Sequence, residues 1–253
     1  MPKIIENKLK QEFKNRKSFS RAELFQFFKN FEPDLKEGTF SWRVYDLKNK
    51  NIIKPIKRGL YTISHKSKYK PGYSAELLKL TRKLTNQFED VMTCVWSTKL
   101  LNEFSRHQSS KNMIIFEVEK DILESAFYEL KDIYAGDVFL TPDEKTINLY
   151  VAESTQPVVI KKLITRSPMN QLTEKKLNFL TPSLEKILVD LFVEDKLFYY
   201  LQGQELVHIF ENAINGYSIN FTKLFSYANR RNKGNELNLF LRNNVSHLVK
   251  DII

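Results

Sequence analysis

Three helix-forming stretches and a short hairpin follow one another in the first 64 residues, and nearly all of the chain's net charge is concentrated there. Residues 1–70 hold 18 Lys/Arg against 7 Asp/Glu, a net of +11. The remaining 183 residues hold 22 against 23, a net of −1, so the +10 of the whole chain belongs to one end. A basic unit with that element order predicts a winged helix-turn-helix over residues 1–66, an arrangement suited to nucleic acid.

The pattern is specific at several positions. Ile4, Ile5, Leu9 and Phe13 recur at helical spacing along a Lys/Glu-rich stretch that runs to Arg16. Ser20-Arg21-Ala22-Glu23 has the form of a capping box, in which the hydroxyl accepts from the Glu23 amide and the carboxylate reaches back. Leu24, Phe27, Phe28 and Phe31 form the apolar face of the helix that follows, and Pro33 ends it. Gly38-Thr39 opens a third helix, with Phe40, Val44 and Leu47 turned inward. At about 100° per residue, its opposite side carries Ser41, Trp42, Tyr45, Asp46 and Asn49, flanked by Thr39, Arg43 and Lys48. Hydroxyls, an amide, cations and aromatic rings are the groups that read base edges and grip phosphates. Ile52–Ile56 and Leu60–Ser64 read as strands around Arg58-Gly59, with Pro55 confining the first to an edge. Lys54, Lys57 and Arg58 would line this wing, against the phosphate backbone or a minor groove. The competing reading is a small helical domain whose lysines only solvate it, with Trp42 packed under a neighbouring helix.

His65–Gly72 reads as a linker to a second domain, residues 73–253. There a helix over Ser74–Phe88 is followed by strand-like Val91–Trp96, Met113–Glu119, Asp137–Leu140, Thr146–Ala152 and Val158–Ile164. Helical stretches over Thr98–His107 and Lys120–Ile133 interrupt them, which predicts a mixed sheet. Asn170–Phe225 reads as mainly helical, with Thr181 as an N-cap and Pro182 at the first helical position. Glu185, Lys186 and Asp190 fall on what looks like the solvent face of that helix. Lys223, Arg230, Arg231 and Lys233 form a second basic cluster, either completing a helix end or meeting a phosphate or an acidic surface. The fold class expected is α+β: a winged helix-turn-helix, then a larger α/β domain with a mixed sheet and a helical C-terminal part.

No catalytic set emerges. Pro142-Asp143 and Glu153 resemble the spaced acids of a metal-dependent nuclease, but Thr155 stands where the lysine belongs. Seven glycines leave little material for a phosphate-binding loop, and no Gly-Ser turn precedes paired aspartates. His65, His107, His208 and His247 lack metal-ligand spacing. Cys94, alone in an apolar strand, suits a small buried side chain and excludes an internal disulfide. The apolar runs fall far short of the roughly 20 residues that span a bilayer. The N-terminal stretch has no signal-peptide core. The expectation is a cytoplasmic, non-enzymatic protein with no cofactor, no metal and no membrane partner.

Leu24-x-x-Phe27, Trp42-x-Val44-x-x-Leu47, Ile52-Ile53 and Arg58-Gly59-Leu60-Tyr61 together resemble the winged-helix head of AbiE-type abortive-infection antitoxins. Thr181-Pro182-Ser183-Leu184-Glu185-Lys186-Ile187-Leu188-Val189-Asp190-Leu191 and Tyr227-Ala228-Asn229-Arg230-Arg231 are similar to elements of that family's C-terminal domain. The stretch from about Tyr73 to Asn170 departs from the family pattern. The resemblance implies a repressor that binds double-stranded DNA at its own operator; because a single head reads few base pairs, a homodimer or paired binding on a repeat is expected. It also implies an antitoxin acting against a nucleotidyltransferase-type toxin of a toxin–antitoxin system. Glu185, Lys186, Lys223, Arg230 and Arg231 are then candidates for the partner surface. Two other readings stand beside it: a nucleic-acid-processing enzyme targeted by the head, and a transcription factor whose second domain senses a ligand.

Overall fold

The computed structural model describes residues 3–63, 66–109, 111–174, 177–250 and 252. The basic end forms α1 (Lys3–Phe13), β1 (Phe19–Ser20), α2 (Arg21–Lys29), α3 (Glu37–Asn49) and a hairpin of β2 (Lys54–Lys57) and β3 (Leu60–Thr62). The capping box of α2 is present: Ser20 Oγ accepts from the Glu23 amide at 3.1 Å and Glu23 accepts from the Ser20 amide at 2.7 Å. Helix α3 ends in a Schellman motif. Asn51 sits at φ +54°, and the amides of Asn51 and Ile52 donate to the Lys48 and Leu47 carbonyls. The three strands pair antiparallel in the order β1-β3-β2, so Pro55 lies on an edge strand, where its missing N–H is tolerated. Gly59, at φ +78°, supplies the positive φ that the hairpin turn requires. Leu9, Phe13, Phe19, Leu24, Phe28 and Phe40 close a separate apolar core under these elements. Ser64 and His65, the expected end of β3 and start of a linker, lie outside the described residues.

The second body contains α4 (Ala75–Gln87), β4 (Thr93–Ser97), β5 (Ile114–Val118), α5 (Leu123–Ile133), β6 (Val138–Leu140) and α6 (Glu144–Thr146). After β7 (Val158–Lys162), β8 (Met169–Glu174) and β9 (Leu177–Pro182) come α7 (Leu184–Val193), α8 (Gln204–Gly216), α9 (Phe221–Arg230), α10 (Gly234–Asn244) and α11 (Ser246–Val249). The fold is α+β, with a mixed six-stranded sheet ordered β6-β7-β5-β4-β9-β8 and a helical C-terminal part. Strand β5 is antiparallel to β4 and parallel to β7, and β9 is parallel to β4. Period-two alternation assigns the faces. Val95, Phe116 and Ile160 pack with Leu77 and Leu84 of α4 and Leu130 of α5. Trp96, Ile115 and Val159 turn the other way, into a core shared with α7 to α11.

Four expectations need correction. Thr146–Ala152 is not a strand: α6 continues as a wider helical turn through Val151, N-capped by Asp143, whose carboxylate accepts from the Thr146 amide at 2.8 Å. Its apolar pair, Ile147 and Val151, is spaced i, i+4, and those two are the buried residues of the turn. Residues 169–174 and 177–182 pair as antiparallel strands β8 and β9 rather than forming a helix, so Thr181 and Pro182 end a strand and the N-cap of α7 is Ser183. Leu177, Phe179 and Thr181 alternate inward along β9. Third, Glu185, Lys186 and Asp190 lie in the interior, because α7 is covered on all sides.

The fourth concerns the stretch read as a linker, which is fastened to the second body. The Tyr69 ring packs against Phe104 and Tyr217, the Ser218 amide donates to the Ser67 carbonyl at 3.0 Å, and Lys66 Nζ donates to the Ile214 carbonyl at 2.6 Å. The β2–β3 hairpin is anchored as well. Ile56 belongs to the core of the second body, and the Arg58 amide donates to the Thr222 hydroxyl at 2.9 Å.

Candidate nucleic-acid interface

Helix α3 buries Phe40, Val44 and Leu47 and turns its other side outward. Thr39, Ser41, Lys48 and Asn49 are exposed there. Trp42 and Tyr45 are 60% and 61% exposed. Their i, i+3 spacing makes them neighbours on the helix surface, so two large rings stand together in solvent. Trp42 is therefore not tucked under another helix. Arg21, which the sequence reading overlooked, braces the helix: it donates to Ser41 Oγ at 2.8 Å, pairs with Glu37 at 2.5 Å and lies over the Phe40 ring.

The remaining expected contacts differ in how free they are. Arg43 is 17% exposed, paired with Glu32 at 2.5 Å and stacked over Phe28, so it ties α3 to the α2–α3 connection. Asp46 is half-buried and pairs with Lys50 at 2.8 Å, and Lys50 also reaches Glu6. Those two carboxylates raise the Lys50 pKa above its ordinary value. Lys48 extends over the Tyr61 ring. In the hairpin, Lys54 donates to the Lys66 carbonyl at 2.6 Å and is half-buried. Lys57 and Arg58 are exposed, Lys57 on the face of β2 opposite Ile56. The outer side of α3 thus holds Ser41, Trp42, Tyr45, Lys48 and Asn49, while the exposed Lys57 and Arg58 side chains stand on the hairpin beside its contact with Thr222.

Of the candidate partner residues, Lys223 and Arg230 are exposed, whereas Glu185, Lys186 and Arg231 are committed to internal contacts. Glu185 accepts from the Asn220 amide at 2.8 Å and from the Ser183 hydroxyl at 2.6 Å. Lys186 is completely buried and sits 2.7 and 2.8 Å from the two Glu117 oxygens, and it also bonds Asp190. Asp190 in turn accepts from Tyr227 at 2.8 Å and from Arg231 at 2.7 Å, and Arg231 continues to Glu194 at 2.9 Å. Lys161 meets the same Glu194 at 2.7 Å. Three anions and three cations balance inside the protein and pin α7 and α9 to the sheet.

The charges hold because each has partners. Burial works against the Lys186 cation, yet Asp190 and Glu117 outweigh it and keep the ammonium pKa well above its usual range. Burial also opposes the Asp190 anion, but Lys186, Lys161 and Arg231 hold its carboxyl below the ordinary value. The Cys94 thiol, beside Glu117 in register, is pushed up by burial. Glu117 and Lys161 went unnoticed in the sequence. A charge at an inward position of a β-strand, such as Glu117 between Phe116 and Val118, was the available signal.

Other expected groups are spread out. Exposed Asp143 serves as a helix cap, and Glu153 is exposed beyond the same helix. His208 and His247 converge on Glu211, at 3.5 and 3.7 Å. Among the described residues, no group of three His, Cys, Asp or Glu is placed to hold a metal ion. No described helix is long and apolar enough to cross a membrane.

Comparison with proteins of curated function finds no match. A family model matches residues 39–247, from the first turn of α3 into α11, and so takes in the exposed α3 face, the hairpin and the whole sheet. The chain belongs to the family of unknown function DUF6577.

Proposed function

We propose that this protein is a DNA-binding regulator whose residues 1–66 act as a winged helix-turn-helix. Helix α2 and helix α3 form the helix-turn-helix pair, α3 enters a major groove, and the β2–β3 hairpin is the wing. The observation that carries the reading is the outer face of α3, where Trp42 and Tyr45 stand more than half exposed among Ser41, Lys48 and Asn49. Exposed rings set among polar and cationic groups are suited to base edges and thymine methyls, with the lysines on phosphates. In this reading Lys57 and Arg58 follow the flanking backbone, and Arg43, paired with Glu32, supports the helix rather than touching DNA. A single head reads few base pairs, so two copies on a repeat are expected.

In this reading the protein represses its own operon and carries out no chemistry itself. The resemblance to AbiE-type antitoxins adds a nucleotidyltransferase-type toxin as protein partner, for which Lys223 and Arg230 are the exposed candidates. Binding to duplexes from the chain's own upstream region, measured by fluorescence anisotropy, tests the DNA reading. Trp42→Ala with Tyr45→Ala is expected to abolish preference for the specific duplex over a scrambled one while leaving the fold intact. An unchanged preference would remove α3 from the interface.

A further inference from the structure

A cleft of about 850 Å³ separates the basic end from the second body. One wall is the C-terminal end of α3 with the start of β2, and the other is β8, the β9–α7 junction and the loop before α9. The fastened segment around Tyr69 forms its floor. Lys48, Lys54, Lys68, Lys70 and Lys223 line it, against two carboxylates, Glu174 and Glu185. Glu185 is already occupied by the Asn220 amide and the Ser183 hydroxyl. Among the described residues, none of Lys48, Lys68, Lys70 and Lys223 has an ion-pair partner. Four unpaired ammonium groups around one concavity raise its potential and draw in anions, because the low-dielectric walls focus the field.

The cleft is not only an anion trap. Tyr69, Pro71, Tyr73, Leu172 and Leu184 add apolar surface, and the amides of Asn51 and Asn170 add donors and acceptors. The Tyr73 hydroxyl is committed to Thr181 at 2.5 Å, which leaves its ring as the lining surface. The volume falls in the range of about 300–1,000 Å³ typical of small-molecule and cofactor sites. A flat apolar group joined to several negative charges matches this lining better than a bare ion does.

We propose that the cleft between α3 and the β8–β9 strand pair binds a nucleotide, its phosphates on Lys68, Lys70 and Lys223 and its base against the Tyr69–Tyr73 segment. The proposal does not require DNA reading by α3, although Lys48 borders both surfaces. Isothermal titration of the full chain with ATP, GTP, tripolyphosphate, adenosine and a single-stranded tetranucleotide tests it. Nucleotides are expected to bind, tripolyphosphate more weakly and adenosine more weakly still. Tighter binding of the tetranucleotide than of ATP identifies a strand end, rather than a free nucleotide, as the natural source of the same chemistry. Lys68→Glu with Lys70→Glu, both at exposed positions, is expected to weaken nucleotide binding at least tenfold with an unchanged melting curve. Lys57→Gln with Arg58→Gln is expected to leave nucleotide binding intact, which separates the cleft from the DNA surface. The proposal is overturned if no phosphorylated compound binds, or if binding survives the double charge reversal.

Discussion

Replacing Lys186 by Met probes the interior most sharply. The side chain is wholly buried, with its ammonium 2.7 and 2.8 Å from the Glu117 oxygens and bonded to Asp190. Methionine has nearly the same length, so packing changes little and the loss is electrostatic. Two buried carboxylates, Glu117 and Asp190, and the partly buried Glu194 then face only Lys161 and Arg231. Removing one partner of a buried ion pair costs about 3–5 kcal/mol, chiefly because the other is left uncompensated. For a body of this size, each kcal/mol moves the melting temperature by roughly 2–4 °C, so a fall of about 6–20 °C is expected.

The pH dependence gives a second check on the same variant. The Asp190 pKa lies below 3.8 in the folded protein, so its contribution is complete above that value and is lost as pH falls through the folded pKa. The Lys186 pKa lies well above 10.5, so its contribution is complete below that value and is lost only as pH rises through the folded pKa. The unmodified protein is therefore expected to hold this stability across neutral pH. In Lys186→Met the buried Asp190 loses its main counter-charge and takes up a proton more readily, so the deficit shrinks on acidification from about pH 8 to pH 5. Urea unfolding followed by far-UV circular dichroism, and by Trp96, whose indole donates to Glu117 at 3.4 Å, measures both effects. A deficit below about 1 kcal/mol, or one equal at the two pH values, would refute the reasoning.

Other outcomes follow from the same geometry. Ser20→Ala removes the acceptor for the Glu23 amide and should destabilise the basic end by about 1 kcal/mol in thermal melts. Cys94 is buried and its thiol pKa is raised, so at neutral pH a thiol reagent should label it only at the rate of unfolding, measured against denaturant. Trp42→Ala and Tyr45→Ala should each change stability, read from thermal melts, by no more than about the 0.5 kcal/mol typical of exposed positions. If nucleotide occupies the cleft, which Lys48 shares with the α3 face, saturating ATP should change DNA affinity in an anisotropy titration.

The basic end was legible because its signals are local. A capping box, an i, i+4, i+7 apolar stripe and a Gly turn each act within a few residues, and each stands where the sequence placed it. Most strands of the second body were legible for the same reason, since Val95, Phe116 and Ile160 alternate cleanly with neighbours facing the other way. What failed was whatever depended on distant partners. The charges in and just after α7 looked like an outer stripe because Glu117, Lys161 and Arg231, which neutralise them, lie 33 to 69 positions from their partners, beyond any local window. The β8–β9 pairing was missed because β8 is largely exposed and polar, so only β9 alternates inward. Two of the cleft lysines, Lys68 and Lys70, were hidden in a stretch that looked like a tether, and only Tyr69 and Tyr73 hinted that it was anchored.

The central claim, that the α3 face and hairpin bind DNA, is tested most directly by the salt dependence of affinity. Anisotropy titrations of the unmodified chain and of Lys57→Gln with Arg58→Gln, on one duplex from its own upstream region, give two slopes of log affinity against log salt. With Lys48, Lys57 and Arg58 each on a phosphate, the slope per head is expected near −2.7, and the double variant should lose roughly 1.8 of it. Equal slopes for the two proteins, or no binding at low salt, would contradict the account.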